Sequence, residues 1–273
     1  MNNFKTLLVL TALSLALAIL FFYYPQIIVP WPYGTFTFLF VMLVCFWTAF
    51  RLNPKSPEMM QFPQVSSRIA TLKKYFMVMG LFFFFDGIAH VAIPALYPYD
   101  ILASHMHTFS HAIFFIGNAL IIRIPVSFMN TRWVNPASWL MLALGAVTVI
   151  WRVIHTDKLL YIFGPENPPI VATDQMSGLF FLAANTIGLI IPGFYLIYRG
   201  LKVGDFIARS RAVFLGSGMV VFFSVGPVID LLHNQYTQLV IHLLLAVAFF
   251  LMGASAFYKE TEIVTEKSSQ PNV

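Results

Sequence analysis

Eight stretches of about 20 apolar residues, at roughly 5–24, 33–51, 75–95, 102–123, 136–156, 176–198, 212–232 and 237–258, recur along this chain. Each has the length an α-helix needs to cross the hydrocarbon core of a bilayer. In lipid every backbone N–H and C=O must be bonded internally, so only helices and closed barrels span. No stretch alternates polar and apolar residues in the period of two that a barrel strand needs, which leaves helices. Only 10% of the 273 residues are charged, against about a quarter in a soluble protein, too few to coat a water-facing surface of this size. The expected fold is therefore all-α: a polytopic integral membrane bundle of eight spans, with residues 1–258 as one domain and 259–273 as a short polar tail.

The breaks between spans carry helix-ending residues: Pro25, Pro30 and Pro32; Asn53-Pro54-Lys55-Ser56-Pro57; Pro94 and Pro98; Gly164-Pro165-Glu166-Asn167-Pro168-Pro169. The first span follows Met1-Asn2-Asn3-Phe4-Lys5, a start that a secretory signal would share. The small triplet Ala16-Leu17-Ala18 runs straight into Ile19-Leu20-Phe21-Phe22, still inside the apolar run, and is read as part of an uncleaved first helix. With the N-terminus inside, Lys5, Arg51, Lys55, Arg68, Lys73, Lys74, Arg123, Arg132, Arg199, Lys202, Arg209, Arg211, Lys259 and Lys267 all fall on the inner side, fourteen of the 16 basic residues. Only Arg152 and Lys158 fall outside. This asymmetry is the positive-inside rule, and it predicts both termini in the cytoplasm and a plasma-membrane location. It also explains the net charge of +5 and pI near 9.3 without nucleic acid. The expected partner is the lipid bilayer, with a redox or quinone partner for the aromatic stretch Phe82–Phe85; the sequence indicates no oligomeric state.

The inner segment 52–74 reads as an ordinary solvated loop, and the longest outer loop, about 157–175, carries Asp157, Glu166 and Asp174. The single cysteine, Cys45, can form no internal disulfide and reads as a small apolar side chain in a helix. There is no Gly-rich phosphate loop, no Gly-x-Ser-x-Gly elbow and no lysine deep in a span for a Schiff base.

The histidines are lopsided. On this topology all seven, His90, His105, His107, His111, His155, His233 and His242, lie toward the outer side, on five helices. Residues three or four apart share a helix face. Asp86 pairs in this way with His90, Ser104 with His107, His111 and Asn118, Thr148 with Arg152 and His155, Asp230 with His233, and Gln238 with His242. His105, His155 and His233 sit where an interface hydrates them. Asp86, His90, His111, Arg152, Asp230 and His242 are deeper, where an ionisable side chain costs ~2.5–3.5 kcal/mol and persists by pairing or by binding something.

Imidazoles and carboxylates converging at one depth are ligands for copper, zinc or iron. The expected metal ligands are His90, His111 and His242 with Asp86 and Asp230, supplemented by His107 and His233. Haem b, held by histidines from two helices with Arg152 meeting a propionate, is the other cofactor this set fits. Either would make the protein a membrane metalloprotein for metal handling, electron transfer or oxidoreductase chemistry. The rival class is a proton- or ligand-coupled transporter or sensor whose cavity these residues line, with Pro192-Gly193 and Gly226-Pro227 as candidate helix breaks. Arg152, always charged, needs a carboxylate, a propionate or water, and Asp86 or Asp230 is expected within salt-bridge reach.

Overall fold

In the computed structural model, residues 3–23, 33–55, 60, 63–96, 100–155, 160–164, 167–172, 175–229 and 235–258 are described. Helices α1 (Asn3–Tyr23), α2 (Tyr33–Arg51), α3 (Pro63–Leu96), α4 (Asp100–Ile121), α5 (Arg123–Met129) and α6 (Val134–Ile154) are followed by α7 (Gln175–Asn185), α8 (Ile191–Leu201), α9 (Phe206–Ile229) and α10 (Gln235–Phe257). Among the described residues, four helical stretches are long and apolar enough to cross a membrane: His105–Met129, Thr131–Ile154, Met176–Leu201 and Phe206–Val225. Shorter apolar stretches occupy Asn3–Ala16, Phe38–Arg51 and Leu243–Phe257. The fold is thus helical and consistent with an integral membrane bundle.

Chain neighbours pack side by side: α1 on α2, α2 on α3, α3 on α4, α4 on α6, α6 on α7, and α8 and α9 on each other. Helix α10 then packs against α9 and returns to α1 and α2, which closes the bundle. Rings fill its interior. Phe114 lies 5.3 Å from Phe82, 5.8 Å from Phe222 and 6.1 Å from Phe223 between centroids, and Phe83 meets Phe249 edge-on at 5.1 Å. Such tilted pairs contribute about 0.5–1.5 kcal/mol each beyond the area they bury. In lipid, where no hydrophobic drive pushes helices together, this close packing is what holds them. Small residues let backbones approach: a Cβ at Gly216 on α9 would stand 2.6 Å from the Gly193 carbonyl oxygen on α8.

At the end of the bundle away from the histidines, basic side chains close helix termini. Lys73 Nζ donates to the Leu52 carbonyl beyond α2, at 3.1 Å, and the Arg211 guanidinium donates to Tyr258 O beyond α10, at 3.0 and 3.2 Å. Cations stabilise helix C-termini in this position by satisfying carbonyls that have no intrahelical partner. Asp205 caps the opposite kind of end, its carboxylate accepting from Ala208 N–H in the first turn of α9.

Two loops differ from expectation. The segment 52–74 is not a solvated loop throughout: α3 begins at Pro63, and Ser66 Oγ donates 2.7 Å to Pro54 O while Lys73 holds Leu52, so the connection is folded back on the helix. Hydropathy stops at Arg68, Lys73 and Lys74; the helix does not, because its 34 residues reach about 51 Å, beyond the ~30 Å apolar layer. The segment between α6 and α7 contains an antiparallel hairpin, β1 (Leu160–Gly164) with β2 (Asn167–Ala172), an addition to the all-α expectation. Leu-Tyr-Ile-Phe and Ile-Val runs on either side of Gly164-Pro165 favour that pairing. The tail 259–273 lies outside the described residues.

Pro192-Gly193 does mark an irregularity. Thr186–Ile190 forms a π segment joining α7 to α8, since a proline at the start of α8 cannot donate into the regular ladder. Helix α9, by contrast, continues through Gly226-Pro227 to Ile229.

Candidate metal centre

Helical periodicity aims the chemistry inward. On α3 the buried side chains Tyr75, Met79, Phe82, Phe83, Asp86 and Ala89 recur every three or four residues, while Leu81 and Phe84 face outward. Asp86 is therefore the one carboxylate on a stripe that is otherwise apolar. On α4 the buried face is His107, Ser110, His111, Phe114, Phe115 and Asn118, with Phe109 and Ile116 exposed. On α6, Thr148 and Arg152 turn inward, and on α7, Ser177, Phe181 and Asn185 do so at spacings of four.

Where α3 meets α4, Asp86, His107 and His111 each present a ligand atom within 4.8 Å of the others, all three side chains buried. His107 Nδ1 lies 3.0 Å from Asp86 Oδ1. The Ser110 hydroxyl lies 2.8 Å from both Asp86 Oδ1 and the His107 carbonyl oxygen, so its proton is shared between two acceptors. His111 Nδ1 is 2.8 Å from that same carbonyl, which can only accept, so Nδ1 of His111 carries the proton. With Asp86 ionised, the same holds for His107 Nδ1. Both rings then keep Nε2 as the lone-pair nitrogen. A histidine whose Nδ1–H is held by a carboxylate or carbonyl is oriented as metal-ligating histidines are, and its second nitrogen is made more basic. This group could hold a metal ion.

The walls are dry. His111 packs edge-on to Phe181 at 4.8 Å, with Phe82 at 6.2 Å and Phe114 at 6.4 Å. Arg152 is 1% exposed, and its guanidinium carbon stands 5.5 Å from the Phe181 ring centroid. The arginine therefore faces the bundle interior rather than the lipid. Two turns along α4 from His111, and one turn along α7 from Phe181, Asn118 Nδ2 donates to Asn185 Oδ1 at 3.2 Å, both side chains fully buried, and Asn185 immediately precedes the π segment. No protein-family model, curated protein or solved structure matches this chain.

Of the ligands expected from sequence, Asp86, His107 and His111 come together, with Arg152 buried beside the same Phe181. The side chains of His90 and His242, and residues Asp230 and His233 altogether, lie outside the described residues. The expected haem pair needs histidines from two helices, and both described ligands of this kind belong to α4, with rings 4.2 Å apart. His105 is exposed, and His155 is half-buried against Trp151. Arg152 was expected to pair with Asp86 or Asp230; Asp86 bonds His107, and Asp230 lies outside the described residues. Ser110, Phe181 and Asn185 were not singled out from sequence. Only Ser110 carried a signal, three residues after His107 and so on its face.

Proposed function

We propose that this protein is a multi-pass membrane metalloprotein, in which Asp86, His107 and His111 hold a transition-metal ion within the bundle. The observation that carries this reading is the convergence of three buried ligand atoms within 4.8 Å on two packed helices. A carboxylate and two imidazoles without thiolate suit zinc, Cu(II) or iron rather than a soft Cu(I) site. Three protein ligands leave a coordination position open, as catalytic and handling sites do and closed structural sites do not. The ion would supply Lewis-acid or redox chemistry. The chain's own residues would set its surroundings: Ser110 orients Asp86, the His107 carbonyl orients His111, and Phe82, Phe114 and Phe181 keep out water.

Protein purified without chelator is expected to carry close to one equivalent of a transition metal by elemental analysis, with no Soret band. Protein that is metal-free and takes up neither Zn²⁺, Cu²⁺ nor Fe²⁺ on titration overturns the proposal. In that case the second reading, a proton- or ligand-coupled transporter or sensor, gains. It is favoured by one observation, the π segment beside the buried Asn118–Asn185 pair, since such irregular turns concentrate at functional and moving positions.

The topology we propose has eight spans, the plasma membrane as host and both termini cytoplasmic, with the metal group toward the outer face. It rests on the sorting of lysine and arginine. In a Cys45-free background, single cysteines at Asn53, Asn130 and Gly204 are expected to react with an impermeant thiol reagent only from the cytoplasmic side, and those at Tyr97 and Asn167 only from outside. Labelling of Asn167 from the cytoplasm reverses the assignment.

A further inference from the structure

A second polar feature lies at the opposite end of the bundle. Arg68 and Asp86 are 18 residues apart on α3, about 27 Å along the axis. Here α3, α5 and the start of α6 line a half-open cavity of ≈ 470 Å³. Its walls carry Arg68 and Arg123 with the hydroxyls of Ser67, Thr71, Ser127 and Thr131, and no Asp or Glu is among the described residues that line it. A basic residue at this end has an ordinary use, the capping of helix C-termini, and Lys73 and Arg211 serve it. Arg68 and Arg123 do not. Arg68 is fixed in place instead: its Nε donates 3.1 Å to Ser127 Oγ, and its guanidinium carbon sits 3.7 Å from the centroid of the Phe128 ring. Ser127 in turn donates 2.7 Å to Ile124 O. The Nε bond and the ring stack hold the guanidinium plane and leave the two Nη groups, four donors, without a protein acceptor among the described residues. Arg123 makes no ion pair or hydrogen bond there either.

Two guanidinium groups, with the Ser67 and Thr131 hydroxyls beside them and no carboxylate among the described lining residues, make a site for an anion with several acceptor oxygens; the Thr71 and Ser127 protons are already given to the Ser67 and Ile124 carbonyls. Planar forks recognise phosphate in two-point fashion, and hydroxyls complete its shell. We infer that this cavity binds a phosphate group, either the headgroup of an anionic phospholipid or a soluble phosphate. It is independent of the metal reading.

The test uses the full chain in detergent, with two probes: phosphatidylglycerol against phosphatidylcholine, read by native mass spectrometry, and inorganic phosphate, read by calorimetry. Saturable binding of phosphatidylglycerol over phosphatidylcholine identifies a lipid headgroup, and binding of inorganic phosphate alone identifies a soluble ligand. In either case Arg68→Gln and Arg123→Gln are expected to weaken binding about tenfold. Lys55→Gln, the same loss of charge on an exposed residue outside the cavity, leaves binding near that of the parent protein. Arg123 makes no bond among the described residues, so its variant reports on binding even where Arg68→Gln impairs folding. Binding of neither probe, or an equal effect of Lys55→Gln and Arg123→Gln, overturns the assignment.

Discussion

His111→Ala is expected to lower Zn²⁺ affinity by more than about 100-fold, beyond the 10–100-fold that follows loss of an outer-shell partner. The substitution removes the nitrogen proposed as a ligand, whose ring is held by the His107 carbonyl and boxed by Phe82, Phe114 and Phe181. His111→Phe separates ligation from packing. It restores the edge-on contact with Phe181, and hence most of the stability, and leaves the affinity lost. Asp86→Asn then assigns the carboxylate. A loss of ~10–100-fold places Asp86 behind His107 as its orienting partner, and a loss as large as that of His111→Ala places it on the ion itself. Calorimetric titration of the purified variants measures all three. Wild-type affinity in His111→Ala would sink the metal centre outright.

Arg152→Met carries the second large effect. The guanidinium is always charged and 1% exposed, so the protein must compensate a full buried charge. Breaking a buried pair by removing one member costs about 3–5 kcal/mol, because the other charge stays behind without its counter-ion. The expected outcome is a loss of that order in thermal stability for Arg152→Met. Removing the matching carboxylate as well should recover part of it. Asp86→Asn and Asp230→Asn in the Arg152→Met background form two double-mutant cycles, and the aspartate that pairs with Arg152 shows coupling well above the few tenths of a kcal/mol seen for independent sites. Asp86 already bonds His107 and Ser110. A strong Asp86 coupling would therefore mean that one carboxylate serves both the arginine and the histidine, and that metal uptake and the charge balance of the bundle are linked. Additivity in both cycles contradicts the charge-pair account of Arg152.

Composition and hydropathy determined the helical character and the places of the long helices, because a chain with so few charges has no means of hiding its backbone in lipid except to bond it within each helix. Spacing alone also put His107, His111 and Asn118 on one face of α4 and Thr148 and Arg152 on one face of α6, and all five are buried. Periodicity works within a helix. It says nothing about which helix stands opposite, so it ranked His107 below His90 and His242 as a ligand, although His107 is the histidine that meets Asp86 among the described side chains. Only the packing of α3 on α4 brought Asp86 to 3.0 Å from His107. Only the packing of α7 placed Phe181 against His111 and Asn185 against Asn118. Charge likewise marked one end of the bundle as basic, but Lys73 and Arg211 cap helices there while Arg68 and Arg123 line a cavity. The difference lies in the neighbours each side chain reaches, and those are set by contacts between residues distant in the chain, which no local pattern encodes.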